Sequence, residues 1–453
     1  MRPHVPCPTL LAAALALGLA TAADARTTVL KNDPYPSTYR AVEGVETLIR
    51  NATVLIGDGS RLDGADVLFR DGEIRRVGRD LDVPAKATVI EAEGRWVTPG
   101  LIDVHSHLGV FAAPGLDAHS DGNEMSDPVT AQVWAEHAVW PQDPGFGTAL
   151  AGGVTSMLIL PGSANLIGGR GVVLKNTPGE TYQQMKFPGA PWSLKMACGE
   201  NPKRVYGGRG SAPMTRMGNV AGYRNAFIEA RDYLEKLGGD EPPTQNLRLE
   251  TLAAAITGEI KVQIHCYRAD EMAIMLDLAE EFDFEVAAFH HATEAYKIAD
   301  QLAEAGACGA LWADWWGFKA EAYDAVQENI LIVDRAGAGK GCAIVHSDSP
   351  EGIQRLNQEA GKVIGVGRRA GIEITPEHAV RWITSNAARA LGIDEQVGTL
   401  ERGKMADVVL WNQNPFSVYA KAEKVWIDGA LMYDRNDPAL QPVSDFMLGQ
   451  EPL

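Results

Sequence analysis

The chain contains few cysteines, five in 453 residues. Cys7 lies near the N-terminus, and the spacing of Cys198, Cys266, Cys308 and Cys342 gives no disulfide framework. A small fold that depends on disulfide bonds is therefore excluded. Disulfide bonds can still form in an oxidising compartment, but we interpret Cys198 and Cys266 as small buried residues rather than nucleophiles.

The chain also lacks basic runs, heptads, internal repeats and low-complexity tracts, and its formal net charge is −18. An acidic surface opposes binding to nucleic acid and to anionic membranes. The absence of heptads and repeats argues against a coiled coil or a solenoid. We therefore expect no nucleic-acid partner.

The apolar run at residues 10–19 is too short for a membrane span, which needs about 20 residues. It follows the positive charge of Arg2 and precedes small residues at 20–25. This arrangement is typical of a cleaved signal peptide, which we place at residues 1–25. Because Cys7 precedes the apolar run, we expect no lipoprotein anchor. The prediction is a periplasmic or secreted protein without a stable membrane anchor.

Hydrophobic residues make up 45% of the chain, which is enough for a large core. Between residues 98 and 394, strand-like runs alternate with helical runs, including those at 269–282, 293–305 and 376–391. Such alternation predicts βα units and a parallel sheet. We therefore predict an α/β fold built on a (β/α)8 TIM barrel, an architecture that typically takes about 250 residues.

Short strand-like runs separated by Gly and Asp turns occur at both ends of the chain. They are residues 47–56, 65–74, 87–92, 406–412 and 425–429. Two β-rich ends around an α/β middle predict one small β-sandwich domain composed of residues 41–97 and 395–435. A tail at residues 436–453 would follow it.

Several apolar strands end in residues that bind metals. The first ends in His105 and His107, whose side chains point to one face because strand side chains alternate. Others end in His265, His291 and Asp348. The carboxyl ends of barrel strands aim side chains at one point. A histidine packed in the core is the better explanation for any one of them, but the set predicts a divalent metal site.

These motifs resemble the amidohydrolase superfamily, in its imidazolonepropionase-like and metal-dependent dipeptidase-like branch. The residues that carry the resemblance are 97–107, His265, 291–296, 346–348 and 403–409. The resemblance implies the barrel, the composite β domain and hydrolysis of a carbon–nitrogen bond.

The resemblance also implies a role for each ligand. His105 and His107 would bind the more buried metal ion, and His265 and His291 the more exposed one. Asp348 would coordinate metal and act as general acid and base for a metal-bound hydroxide that attacks the substrate carbonyl. The implied cofactor is Zn²⁺, as one or two divalent ions, and we favour two.

The sequence leaves two candidates for the group that bridges the two ions. Binuclear members carry a carboxylated lysine where this chain has Lys195, which we favour. Glu200 is the alternative bridging ligand, or else the first residue of a helix. His290 and His291 are alternatives for one metal ligand, because side chains alternate along a strand and only one of the two can face the barrel interior. The match to the family favours His291.

Loops after the barrel strands supply the candidates for substrate binding. These candidates are His119, Arg170, Tyr206, Tyr267 and Arg268. Arginine can hold a carboxylate with two hydrogen bonds. The alternative for the arginines is an ion pair within the fold, and the alternative for His119 is a solvated side chain on the surface. We interpret the glycine-rich run at 168–171 as a turn. Trp312, Trp315 and Trp316 either line an apolar pocket or pack against helices, and we favour packing.

The sequence thus predicts an exported metal-dependent hydrolase that acts on an amide, a dipeptide or a cyclic amide. One alternative is a mononuclear hydrolase of the same fold that opens a ring or deaminates its substrate. Another is a non-catalytic periplasmic metal-binding or scaffold protein, against which Asp348 argues. The expected partner is a small molecule or dipeptide, and homo-oligomerisation is left open.

Overall fold

The computed structural model describes residues 28–30, 32–315 and 317–442. The predicted signal peptide and residues 443–453 of the predicted tail lie outside the described residues. Among the helices that are described, none combines the length and the apolar character needed to cross a bilayer.

Strands and helices alternate through the middle of the chain. The strands are β1 (Thr47–Leu55), β2 (Arg61–Arg70), β3 (Glu73–Gly78), β4 (Thr88–Glu91), β5 (Trp96–Pro99), β6 (Leu101–Ser106), β7 (Val154–Ile159), β8 (Ile167–Lys175), β9 (Ser193–Ala197), β10 (Lys261–Cys266), β11 (Val286–His291), β12 (Cys308–Leu311), β13 (Ala343–Val345), β14 (Val408–Trp411), β15 (Ala422–Ile427) and β16 (Ala430–Asp434). The α-helices are α1 (Pro144–Ala151), α2 (Tyr182–Met185), α3 (Glu200–Gly207), α4 (Arg216–Leu237), α5 (Leu247–Ile256), α6 (Ala269–Phe282), α7 (Ala299–Glu304), α8 (Asn329–Gly339), α9 (Leu356–Arg369), α10 (Pro376–Ala379) and α11 (Ser385–Leu391).

An eight-stranded sheet forms the barrel, in which β6 to β13 follow one another in chain order. The neighbours are parallel except that β8 runs antiparallel to both β7 and β9. Residues 168–171 lie inside β8, so their interpretation as a turn is wrong. Glycine serves close packing here, because a Cβ at Gly169 would lie 2.3 Å from the carbonyl oxygen of Val133.

The first and last barrel strands meet through the residues that follow β13. The backbone N–H of Asp348 donates to the carbonyl oxygen of His105 at 3.0 Å. The backbone N–H of Ser347 donates to Asp103 Oδ1 at 3.2 Å. These bonds join β6 to the segment after β13 at the carboxyl end of the sheet. The predicted TIM barrel is confirmed, with one reversed strand.

Strands from both ends of the chain share the second sheet, whose order is β16-β15-β14-β5-β1-β2-β3, with β4 also paired to β1. Its core contains Ile49, Phe69, Val408 and Trp426. The N-terminal and C-terminal segments are therefore joined by hydrogen bonds between β5 and β14. A sandwich requires two packed sheets, and both the sandwich and the domain boundaries stay predictions.

Helix α6 shows how the helices cover the barrel. Its buried residues include Met272, Met275 and Phe282, whose spacing places them on one helix face. Burial of each such side chain contributes about 1.5–3 kcal/mol. The predicted helix at residues 269–282 is confirmed.

Two other predicted helices are interrupted. The segment at 293–305 begins with a single turn at Ala295–Lys297 before α7. The segment at 376–391 is divided at Thr384, whose φ of −139° and ψ of −92° leave the helical region. Periodicity of apolar residues does not report such a local break.

Four buried cysteines form the disulfide bonds Cys198–Cys266 and Cys308–Cys342. The first joins the ends of β9 and β10, and the second joins the start of β12 to the residue before β13. Cys198 and Cys266 are buried, as predicted, and they also pair with each other, which the sequence analysis left open. The partners are set by the adjacency of strands in the barrel, which the spacing of cysteines along the chain does not reveal.

Candidate metal centre

Histidine and aspartate side chains come together at the carboxyl ends of the barrel strands. They are supplied by β6, by β10, by β11 and by the segment after β13. The residues are His105, His107, His265, His291, His346 and Asp348.

Three of them form what we call the inner group: His105, His107 and Asp348. Their ligand atoms lie within 4.8 Å of one another. The Nε2 atoms of His105 and His107 are 3.2 Å apart. Asp348 Oδ1 is 3.5 Å from His105 Nε2 and 3.3 Å from His107 Nε2. The amine of Lys195 lies 3.4 Å from His105 Nε2, so it reaches the same point.

A second set, the outer group, consists of His105, His291 and His346, again with ligand atoms within 4.8 Å. The His265 ring lies beside it, with its centroid 4.6 Å from that of His291. Asp348 Oδ2 is 3.9 Å from His291 Nε2, so the two oxygens of Asp348 approach both groups. The sequence analysis gave no role to His346, although it stands two residues before Asp348.

The backbone is in the left-handed region at two of these residues, with φ of 68° at His291 and 50° at Asp348. Such conformations cost about 1–3 kcal/mol and concentrate at functional sites. Both His290 and His291 approach His105: His290 Nδ1 lies 2.9 Å from His105 Nδ1, and the His291 ring centroid lies 4.8 Å from that of His105. The prediction that only one of them faces the interior is wrong, because alternation holds only for an extended backbone.

Several ring nitrogens of the cluster are buried without a hydrogen-bond partner. They are both nitrogens of His265 and the Nδ1 atoms of His291 and His346. A buried polar atom without a partner costs about 1–3 kcal/mol. A divalent ion accepts the lone pair of neutral imidazole and removes this cost. The residues present therefore fit a metal site.

Burial keeps the histidines neutral. Burial, followed by the charge of Lys195, lowers the pKa of His105 well below its usual range. Burial, followed by the charge of Lys319, does the same to the pKa of His265. Burial lowers the pKa of His346 to about 4. Neutral imidazole is the form that binds metal.

The proposed bridging residues differ in their surroundings. Lys195 is completely buried, and burial lowers its pKa to about 7. A neutral amine, the form that reacts with carbon dioxide, is thus available near neutral pH. Glu200 Oε1 instead lies 3.5 Å from the amine of Lys319. Which of the two bridges a pair of ions stays a prediction.

The surroundings of Asp348 keep its carboxylate ionised, so that it can act as a base. Burial raises the pKa of Asp348, and the positive charges around it, that of Lys195 among them, lower it, so that the net shift of the pKa is downward. About a quarter of its side chain is exposed, 25%. Its carboxylate is therefore ionised and open to a substrate.

The sequence analysis also missed Asp103, which is completely buried. Its Oδ1 accepts from the backbone N–H groups of His105 at 3.1 Å and of Ser347 at 3.2 Å, and the Ser347 hydroxyl donates to Oδ2. Burial raises the pKa of Asp103 to about 7 in spite of these bonds. The carboxyl group holds the strand that carries His105 against the segment that carries Asp348. Its place two residues before His105, on the same face, was the available signal.

Tyr267 is the candidate substrate residue that lies against the cluster. Its ring stacks on His291, with centroids 5.3 Å apart and an interplanar angle of 20°. Trp312 also stacks on His291, at 4.2 Å, and Trp315 continues the stack at 5.7 Å from Trp312. Trp312 therefore packs against a residue of the cluster, and whether it also lines a substrate pocket stays a prediction. We call Trp312, Trp315 and Phe318 the aromatic rim.

Arg170 and Tyr206 have partners within the fold. Arg170 is buried, its Nε donates to Thr251 Oγ1 at 2.8 Å, and its guanidinium group lies 4.3 Å from the centroid of the Trp134 ring. The Tyr206 hydroxyl donates to the carbonyl oxygen of Asp127 at 2.8 Å. The structure uses both side chains to hold loops in place.

Arg268 and His119 are likewise engaged locally. Two nitrogens of the Arg268 guanidinium donate to the carboxylate of Asp270, each at 2.9 Å. Nδ1 of His119 lies 2.9 Å from the carbonyl oxygen of Pro114. Neither contact involves the histidine cluster, and a substrate role for either residue stays a prediction.

The barrel and its histidine cluster define a class of protein, and comparison with known sequences agrees with it. Residues 96–432 match the Amidohydrolase family. The chain belongs to this family, which confirms the recognition made from the motifs. Membership of this family supports the prediction of an enzyme that hydrolyses carbon–nitrogen bonds.

Individual relatives match over different lengths. The amidohydrolase tasK of Hapsidospora irregularis is 34% identical over 448 residues, 88% of this chain but 44% of that protein. The imidazolonepropionase of Shewanella oneidensis is 25% identical over 381 residues, 77% of this chain and 86% of that one. A crystal structure of an amidohydrolase from Thermotoga maritima superposes with a TM-score of 0.79 and 34% identity, over 86% of this chain and 100% of that one. The chain thus spans less than half of tasK.

Proposed function

We propose that this chain is an exported, zinc-dependent hydrolase that cleaves a carbon–nitrogen bond in an amide, a dipeptide or a cyclic amide. The observation that carries the proposal is the inner group, in which two imidazole nitrogens and a carboxylate oxygen lie within 4.8 Å of one another. Family membership and the presence of an imidazolonepropionase among the relatives support the reaction class.

The side chains divide naturally between two ions. We assign His105, His107 and Asp348 to the first, and His265 and His291 to the second, with His346 beside them. Imidazole nitrogen and carboxylate oxygen are ligands that zinc accepts. When bound, such ions lower the pKa of a coordinated water and polarise a carbonyl group.

Asp348 would move the proton. Its oxygens lie 3.3 Å from His107 Nε2 and 3.9 Å from His291 Nε2, so it stands between the two sets of ligands. Its lowered pKa keeps the carboxylate ready to take a proton from the attacking water. The same proton then passes to the nitrogen that leaves the substrate. Proton transfer of this kind accelerates reactions by about 10²–10⁴-fold.

Tyr267 and the aromatic rim would orient the substrate. Tyr267 and Trp312 both stack on His291, and the indole N–H of Trp312 donates to the carbonyl oxygen of Ser347 at 3.2 Å. These rings are thereby fixed relative to Asp348. An apolar or planar part of a substrate can pack on them while its amide group faces the ligands.

Export is part of the proposal. It is supported by the residues at 1–25 that are typical of a signal peptide. The two disulfide bonds add support, since such bonds persist in oxidising compartments and are rare in the cytosol.

The test joins metal analysis to a substrate screen of the processed protein. Elemental analysis should find about two zinc-like ions per chain, and a panel of dipeptides and cyclic amides should contain a substrate. His105→Ala should lose both metal and turnover, whereas His378→Ala, whose ring pairs with Asp334 at 2.7 Å, should keep both. Turnover by a preparation without metal would refute the proposal. One ion per chain in an active preparation would favour the mononuclear alternative. No turnover of any dipeptide or cyclic amide in the panel would favour the non-catalytic scaffold protein.

A further inference from the structure

A line of buried hydrogen bonds runs behind the metal centre, from helix α11 to His105. Nε2 of Gln263 donates to the carbonyl oxygen of Ala390 at 3.1 Å. Oε1 of Gln263 lies 2.8 Å from His290 Nε2, and His290 Nδ1 lies 2.9 Å from His105 Nδ1. Gln263, His290 and His105 each have no exposed surface, 0%. We call these three side chains the relay.

The polarity of the relay follows from its first member. A backbone carbonyl can only accept, so the amide nitrogen of Gln263 must face Ala390 and the amide oxygen must face His290. That oxygen also only accepts, so His290 Nε2 carries a proton. A neutral imidazole has one N–H, which leaves His290 Nδ1 as an acceptor. His105 must then donate from Nδ1.

We propose that Gln263 and His290 are positioning residues that hold His105 in the tautomer protonated at Nδ1, before any metal ion arrives. His105 Nε2 then carries a lone pair instead of a proton, and it is the atom that faces the inner group: His107 Nε2 lies 3.2 Å from it, the Lys195 amine 3.4 Å and Asp348 Oδ1 3.5 Å. The inference rests on the proposed metal centre and adds residues that do not themselves touch the ions.

The opposite tautomer is penalised at every step. If His105 carried its proton on Nε2, His290 would have to donate from Nδ1. Its Nε2 lone pair would then face the oxygen of Gln263 at 2.8 Å, where both atoms only accept.

The relay also explains why two histidines stand side by side. His290 pairs in register with His265 of β10, and Gln263 pairs with Lys195 of β9. His290 therefore lies in the same layer of the barrel as the ligands, whereas the left-handed backbone at His291 sets that residue apart. His291 is the proposed metal ligand of the pair, and His290 is the residue that hydrogen-bonds to His105.

The first test compares variants of His290 by zinc affinity, measured by competition with a chromogenic chelator. His290→Phe keeps the bulk of the ring but removes the acceptor, and should weaken binding about 10–100-fold, the range seen when a group that orients a metal ligand is lost. His290→Asn keeps an oxygen near the position of Nδ1, and should bind within about threefold of wild type. Gln263→Met should fall between the two. Equal affinity in all variants would overturn the proposal.

The second test reads the tautomer directly in the metal-free wild-type protein. With ¹⁵N-labelled histidine, long-range proton–nitrogen spectra should show His105 protonated at Nδ1 and bare at Nε2. A proton on Nε2 would overturn the relay. If His290→Phe does not fold, as judged by circular dichroism, Gln263→Met and these spectra decide the matter. A wild-type protein that binds no zinc while showing the expected tautomer would refute the proposed function and leave the relay intact.

Discussion

The metal centre and the aromatic rim are built in different ways. His105, His290 and Gln263 sit on barrel strands with no exposed surface, 0%, and each is hydrogen-bonded to another side chain or to the backbone. In the rim, Trp315 is 38% exposed and Phe318 is 59% exposed, and both are held by ring contacts in the loop after β12.

This difference suggests that the metal centre carries out the reaction and that the aromatic rim selects the substrate. Ligands of a metal must keep fixed distances, which strands and buried hydrogen bonds provide. Recognition groups on a loop can change without disturbing the barrel. Substitutions in the centre should therefore affect turnover and stability, and substitutions in the rim should affect substrate affinity alone.

The largest effect is expected from Asp348→Asn. Asparagine tolerates the left-handed backbone at this position, where φ is 50°, so the fold should persist. The amide cannot accept the proton from water, and kcat should fall about 10²–10⁴-fold. The measurement is kcat on zinc-loaded protein, with metal content determined in parallel. Asp314→Asn, in the rim loop and paired with Lys362, is the matched control; a loss below about tenfold at Asp348 would contradict its role.

The buried histidines should make the metal-free protein sensitive to acid. The pKa of His346 is lowered from 6.5 to about 4, so on acidification the unfolded chain takes up protons before the folded one. Stability present above pH 6.5 is therefore lost as the pH falls towards 4, at about 1.4 kcal/mol per pH unit for each such histidine.

Denaturant unfolding of the metal-free protein between about pH 7.5 and pH 5 measures this slope. Asp103 works in the opposite direction, because its pKa is raised to about 7 and its contribution is lost as the pH rises. The comparison with His346→Gln isolates the histidine, since Asp103 is common to both proteins. Equal slopes in the two proteins would contradict the assignment.

A smaller effect is expected in the rim from Trp312→Ala. The substitution removes the ring stacked on His291, and aromatic pairs contribute about 0.5–1.5 kcal/mol beyond burial. KM should rise up to about tenfold while kcat changes little. Trp312→Phe should restore most of the affinity. A collapse of kcat at unchanged KM would place Trp312 in the chemical half of the site and break the division drawn above.

The sequence was informative where a residue's role follows from local pattern. His105 and His107 are two apart at the end of an apolar strand, so alternation alone places both at one face. His265 lies near the end of β10 and Asp348 lies just after β13, and the barrel brings strand ends together. The order of these residues along the chain was enough to indicate the family.

Pattern failed where position depends on contacts distant in sequence. The pairing of Cys198 with Cys266 depends on the adjacency of β9 and β10. The run at 168–171 has the composition of a turn, but it lies in a reversed strand that packs against Val133. His290 and His291 both reach the site where the backbone turns left-handed at His291 and Ala292, which no periodicity encodes.

The smallest effect should come from Phe318→Ala. Its ring lies 5.8 Å from Trp312 and 6.4 Å from Tyr267, measured between centroids, but most of it is already in solvent. Loss of an exposed side chain usually changes the free energy of unfolding by less than about 0.5 kcal/mol, so the melting temperature should stay unchanged. KM should rise less than about threefold for a small substrate, and more for a substrate with a large apolar group that reaches this ring. Tyr323→Ala, in the same loop and 79% exposed, is the control. If both variants changed KM equally, the rim would act only by keeping the loop folded, and recognition would belong to Tyr267 and Trp312.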